Sequence, residues 1–168
     1  MEYIIVDGYN VIGASPELTK LRDMNLEEAR YQLQGSLAEY SAYTGRKAIV
    51  VYDAHMTKGP TSKSQSGNLE ICFTKEGITA DQYIERLVIE LIRQGNKVHV
   101  ATSDAVEQHL VFGKGALRLS ARELLIEMKM MRDEIATNIE NSSSSSMKLD
   151  RTLNPEIVKI LEMWRRKQ

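Results

Sequence analysis

Blocks of apolar positions with two different spacings follow one another along the chain. The first, YIIVDG, is a continuous apolar run ending in Asp7, the pattern of a strand covered on both faces. From Asn25 the spacing changes to helical: Leu26, Ala29, Leu33, Leu37 and Tyr40 recur at three- and four-residue steps, as on a helix with one buried stripe. Asn25 with Glu28 three residues on gives that helix a capping-box-like start, and Gly45 gives it a stop. KAIVVYDAH predicts a second buried strand. The polar stretch KGPTSKSQSGN predicts a mobile loop, and LEICFT a third strand. Thr79 with Gln82 opens a second helix, striped by Ile84, Leu87, Val88, Leu91 and Ile92 and closed by Gly95. KVHVATSD predicts a fourth strand, DAVEQHLVFG a short helix and GALRLS a fifth strand or extended segment. Ser120 and Glu123 then cap the helix ARELLIEMKMMRDEIATNI.

Strands alternating with helices, and strands apolar throughout, point to a parallel, doubly wound α/β sheet. Residues 1–140 form the expected domain. The serine run that follows reads as a flexible linker over 141–153. Asn154 and Pro155 start a terminal helix over 154–168 with a narrow apolar stripe and a basic end. That helix suits either packing, with cations at its C-terminal dipole, or a binding tail.

Composition narrows the function classes. With 42% hydrophobic residues, 27% charged residues and a net charge of −1, bulk positive charge cannot drive nucleic-acid binding, so any such contact must use local basic patches. The single cysteine, Cys72, lies in an apolar run and is expected to be a buried thiol. One cysteine forms no internal disulfide, which fits a reducing compartment. The N-terminus has no signal-peptide pattern and no apolar stretch is long enough to span a bilayer, so the expectation is a cytoplasmic protein without membrane association.

The candidate chemistry is acidic. Asp7, Asp53 and Asp104 end the first, second and fourth strands, and Asp81 sits in the first turn of the helix after the third. In a parallel sheet these ends share one edge. With the strand order 3-2-1-4-5, the crevice opens between the first and fourth strands, at Asp7 and Asp104. Each acid also has a plain structural explanation: Asp81 as a helix-start residue, Asp104 as a cap with Glu107 three residues on, Asp53 as a turn residue. Four together would repel one another unless a cation compensates. Oxygen-only ligands suit Mg²⁺ or Mn²⁺, and no Cys/His set has zinc spacing. Such a site supports phosphoryl chemistry. Asn10 and Ser103 are placed to orient the carboxylates or a phosphate, although Ser103 serves equally as a helix cap. His55 beside Asp53 is an acid–base candidate without an evident partner. No dinucleotide-binding glycine pattern, P-loop or nucleophile elbow is present, so a nucleotide cofactor is not expected.

The segments VDGYNVIG, VVYDAH, FTKEGITADQYIE, ATSDAVEQ and FGKGALRLSARELL resemble the YacP-type NYN-domain proteins, a branch of the PIN-like ribonucleases. The resemblance runs from about Tyr3 to about Arg132. It implies a PIN-like three-layer α/β/α fold with a central parallel sheet, to which the C-terminal helix is added, and Mg²⁺- or Mn²⁺-dependent endoribonuclease activity. Carried over position by position, the metal-binding acids fall on Asp7, Asp81 and Asp104, with Asp53 as the adjoining catalytic acid and Asn10 completing the DGYN motif. It further implies a ribosome-associated nuclease that enters the aminoacyl-tRNA (A) site and cuts mRNA, leaving a 3′-hydroxyl and a 5′-phosphate. Candidate RNA contacts are Lys58, Lys63, Lys114, Arg118 and Arg122, with Tyr9 available to stack on a base. Solvated surface charge and ring packing explain the same residues without RNA. A non-catalytic RNA- or ribosome-binding module is the alternative. A Mg²⁺-dependent phosphatase would need a D-x-D arrangement, which Tyr9 interrupts.

Overall fold

The computed structural model describes residues 1–53, 62–104 and 113–152. Residues 105–112 of the expected helix DAVEQHLVFG, His55 and Lys58 in the loop after the second strand, and the expected helix over 154–168 lie outside those residues. The chain divides into two compact units, Met1–Lys129 and Met130–Gln168, and the first holds the whole described sheet and all four acids.

The strands are β1 (Glu2–Asp7), β2 (Lys47–Tyr52), β3 (Ser62–Ser66), β4 (Leu69–Phe73), β5 (Lys97–Ala101) and β6 (Leu117–Leu119). The described helices are α1 (Gly8–Ala14), α2 (Pro16–Met24), α3 (Leu26–Thr44), α4 (Ala80–Arg93) and α5 (Ala121–Thr152). The sheet order is β3-β4-β2-β1-β5-β6, and every pairing except the antiparallel β3–β4 edge is parallel. Without β3, the five parallel strands run third, second, first, fourth, fifth, as the sequence predicts. β1 therefore lies between β2 and β5, at the point where the winding reverses.

Both faces of the sheet are covered, which is why its strands carry no alternation. On one face Ile5, Ile49, Val51, Val98 and Val100 pack with Ile84, Val88 and Leu91 of α4. α3 lies against β2 and β4 and buries Leu33, Leu37 and Tyr40. At the edge where the strands begin, Glu2 Oε1 accepts from Arg46 Nε at 3.0 Å and pairs with His99 Nε2 at 2.7 Å. Tyr40 there accepts from Arg46 at 2.7 Å and donates to Glu127 at 2.5 Å. This network ties α3 and α5 to the sheet at the end opposite the acids.

Three segments differ from the sequence expectation. Residues 62–66, expected as loop, form the exposed edge strand β3. A two-residue Gly67–Asn68 connection, with Gly67 at φ 59°, folds it back on β4. That is hairpin chemistry, hidden because an edge strand open to solvent has no apolar face to show. α1 and α2 occupy residues the periodicity left unassigned. Ser15 caps α2, accepting from Leu18 N at 3.3 Å, with Pro16 at its first position. The helical backbone of α5 continues to Thr152, through the serine run that composition assigns to a linker. Serine costs a helix only a few tenths of a kcal/mol per residue, and propagation from a formed helix is far easier than nucleation.

Candidate active site

Asp7 is both the last residue of β1 and the N-cap of α1. Aspartate is a favoured N-cap residue, and here it takes that role at the end of a strand. Its Oδ1 accepts from the Asn10 backbone N–H at 3.1 Å, and its Oδ2 accepts from Asn10 Nδ2 at 2.8 Å. The usual Glu or Gln three residues after the cap is replaced by asparagine, and that substitution concealed the motif. The arrangement answers why a buried strand ends in a carboxylate. At 5% exposure the group is held at both oxygens, which fixes its plane and offsets part of its desolvation. Gly8 makes the turn possible. A Cβ built there would lie 2.2 Å from Tyr52 Cε1, so no side chain fits.

Asp53 follows β2 by one residue, and its Oδ2 accepts from the Ala80 backbone N–H at 3.4 Å. It thereby ties the end of β2 to the start of α4. The same helix start carries the predicted capping box. Thr79 Oγ1 accepts from Gln82 N at 3.2 Å, and Gln82 Oε1 accepts from Thr79 N at 3.4 Å. Asp81 is thus set in the first turn, beside the positive end of the helix dipole. Ser103 and Asp104 follow β5. The Asp104 N–H donates to the buried Thr102 Oγ1 at 3.1 Å.

These ends meet in an open cavity of about 620 Å³ lined by Asp7, Tyr9, Asn10, Gly13, Ala14, Asp53, Thr79, Ala80, Asp81 and Ser103. Burial pushes the Asp81 carboxyl above its ordinary range, and the charges of Asp7, Asp104 and Asp53 push it further. The other three acids therefore all act on Asp81. Because the folded value is raised, ionised Asp81 opposes folding. Its contribution to stability is most favourable below the ordinary carboxylate value and is lost as pH rises through the raised one. A cation in the cavity would remove that cost.

The donor set is all oxygen, as Mg²⁺ or Mn²⁺ requires. Among the described residues no three His, Cys, Asp or Glu side chains stand close enough together to enclose an ion by themselves. A site of this kind fits a hard cation that is held by one or two carboxylates and keeps part of its water shell, the ordinary habit of Mg²⁺. It does not form a closed cage.

The basic residues are more dispersed. Lys63 on β3 donates to Glu70 at 2.9 Å, which holds its ammonium above the usual lysine range. Lys114 pairs with Glu85 at 3.7 Å. Arg118 lies on β6, opposite Val100, and Arg122 in the first turn of α5; both are exposed. Cys72 is buried, as expected, and burial pushes its thiol up to about 11.

Two contributors escaped the sequence reading. The α4 helix start supplies backbone as well as Asp81, through the Ala80 N–H. Arg30, on the buried side of α3, donates from Nη2 to the Tyr9 hydroxyl. Its signal was available: a charge three residues before Leu33 and seven before Leu37, within the buried stripe.

The family model for the YacP-like NYN domain matches residues 4–166. The uncharacterized protein YacP of Bacillus subtilis (strain 168) is 45% identical over 166 residues, covering 99% of this chain and 98% of that protein. The crystal structure of Rae1 (YacP) from Bacillus subtilis superposes with a TM-score of 0.75 at 44% identity, covering 99% of this chain and 96% of that one. Its W164L mutant gives 0.74 at 44% identity, over 84% and 83%. No described helix is long and apolar enough to cross a membrane. With the strand order, the acidic edge and these matches in agreement, the chain belongs to the YacP-like NYN domain family and carries its nuclease-type fold.

Proposed function

We propose that the protein is a divalent-cation-dependent endoribonuclease that cuts mRNA in the ribosomal A site. The observation that carries this reading is the convergence of Asp7, Asp53 and Asp81 on one cavity at the edge where the sheet reverses direction. Of the three expected ligands Asp7, Asp81 and Asp104, the first two line the cavity and would hold Mg²⁺ or Mn²⁺ directly, and Asp104, whose charge acts on Asp81, would act through the ion's water shell. The cation supplies neutralisation of phosphate charge and activation of water. The chain's own part is geometric. Asn10 fixes both Asp7 oxygens, and Asp53 joins β2 to the α4 start so that Asp81 keeps its place in the cavity. The scissile phosphate would sit over the cavity mouth, between the β1 and β5 ends.

A net charge of −1 gives little long-range attraction for free RNA. Lys63 and Lys114 are already engaged by carboxylates. Both observations favour a substrate delivered by the ribosome over one captured from solution. The absence of an enclosed three-acid group among the described residues favours a second reading, a module that docks on RNA or ribosome without cutting.

One assay separates the two: a translated mRNA incubated with the protein, with Mn²⁺ or EDTA, with and without ribosomes, and its new 5′ ends mapped. The nuclease reading expects EDTA-sensitive cuts with 5′-phosphates, concentrated on ribosome-bound message. Co-sedimentation with ribosomes but no cation-dependent cut would establish the module instead.

A further inference from the structure

Arg30 is the only buried cation among the described residues, at 6% exposure. Among the described residues no carboxylate pairs with it; its hydrogen bond goes from Nη2 to the Tyr9 hydroxyl, and Nε has no partner there. Three aromatic rings surround the guanidinium instead. Its carbon lies 5.4 Å from the Tyr9 centroid, 5.7 Å from that of Tyr52 and 5.3 Å from that of Phe73. A cation taken out of water is costly, and ring faces with one hydrogen bond return only part of that. An apolar side chain would fill the same place on α3 without that cost, so the charge points to a task beyond packing.

That task is visible at Tyr9. The residue lines the acidic cavity beside Asp7, yet it stands on a helix of only seven residues. Arg30 fixes it at two points, the hydroxyl and the ring face. Tyr52 supports its ring in an edge contact at 5.3 Å and is itself stacked on Phe73 at 5.2 Å. The result is a phenol ring held rigidly at the wall of the cavity by a cation that does not reach it.

We propose that Arg30 is a positioning residue: it holds Tyr9 as a stacking platform for a nucleobase of single-stranded RNA next to the phosphate that is cut. This rests on the nuclease reading above and adds to it the residue that places the substrate. Single-stranded RNA is gripped by bases stacked on aromatic side chains, and each stack changes affinity by roughly tenfold or more. A platform with a fixed ring loses less entropy on binding than a mobile one.

The test uses the full chain and a short 5′-labelled single-stranded oligoribonucleotide. Binding is read by fluorescence anisotropy with Ca²⁺, and cleavage kinetics are read with Mn²⁺. Tyr9→Leu and Arg30→Met are each expected to weaken binding about tenfold and to act mainly on KM. The double variant is expected to be no weaker than Tyr9→Leu, because Arg30 acts only through the ring. Where Arg30→Met does not fold, Tyr9→Phe and Arg30→Lys carry the test. Loss of the hydroxyl tether in Tyr9→Phe is expected to weaken binding about threefold, and Arg30→Lys, which lacks the planar fork that serves both hydroxyl and ring, is expected to weaken it at least as much and to add less to Tyr9→Phe than it does to the wild type. Unchanged RNA affinity in a folded Arg30 variant, or losses that multiply in the double variant, overturn the proposal. Wild-type protein that binds the RNA through Tyr9 and Arg30 but cuts neither it nor ribosome-bound message refutes the nuclease reading alone. Protein that cuts while both variants bind normally refutes the platform and leaves the nuclease reading standing.

Discussion

Replacing Asp7 by asparagine is expected to lower the cleavage rate by a thousandfold or more, about the loss that follows removal of a principal charge-stabilising group from an active site, while leaving the fold in place. The two effects separate because Asp7 has two jobs. As N-cap of α1 it accepts from the Asn10 N–H, and asparagine caps a helix as well as aspartate does. Its second oxygen accepts from Asn10 Nδ2, where an amide nitrogen would oppose another donor. That mismatch costs about 1 kcal/mol, too little to unfold a domain of this size. The negative charge facing the cavity is lost outright. Initial cleavage rates measured beside a thermal melt decide it. A folded variant that cuts RNA within tenfold of the wild type would remove Asp7 from the chemistry.

The largest effect on stability is expected at Gly8. A methyl group there would stand 2.2 Å from Tyr52 Cε1 and 2.6 Å from Cδ1. The Tyr52 ring cannot retreat: it is wholly buried, stacked on Phe73 and in edge contact with Tyr9. Gly8→Ala must therefore shift the start of α1, at a cost of about 3 kcal/mol, the upper range for forcing an extra carbon into a packed core. Activity should fall with it, since Asp7 and Tyr9 flank the displaced residue. Gly35→Ala is the control. It lies in α3 with nothing within 4 Å of the added carbon, and relief of glycine's helix penalty should stabilise the protein by about 0.5–1 kcal/mol. Urea unfolding of the two variants gives both numbers. Equal stability in Gly8→Ala would mean that the Tyr52 ring does not define this turn.

What the sequence disclosed was local or periodic. The apolar runs located the first four parallel strands, GALRLS was legible as a strand or extended segment, and the Thr79–Gln82 and Ser120–Glu123 pairs located the starts of α4 and α5 to the residue. The strand order followed from general rules of winding, and it alone sufficed to bring the acids to one edge. What stayed hidden depended on contacts between distant residues or on missing contrast. β3 is polar on both sides because it is an exposed edge. α1 is too short for a period, and its cap is read by asparagine. Arg30 reaches Tyr9 across 21 positions, so its role emerges only when α3 lies on the sheet. The acidic edge was legible as a gathering of charge, and its openness was not: spacing along a chain cannot tell a closed cage from carboxylates that share a cavity.

The most direct measurement is the thermal midpoint of the full chain against Mn²⁺ concentration, for the wild type and for Asp81→Asn. Asp81 carries repulsion from three neighbouring acids, so the variant should begin with the higher midpoint in EDTA, and the wild type should climb past its own starting value as Mn²⁺ is added while the variant responds weakly. A wild-type midpoint indifferent to Mn²⁺, or an identical rise in both proteins, would show that these carboxylates gather no ion.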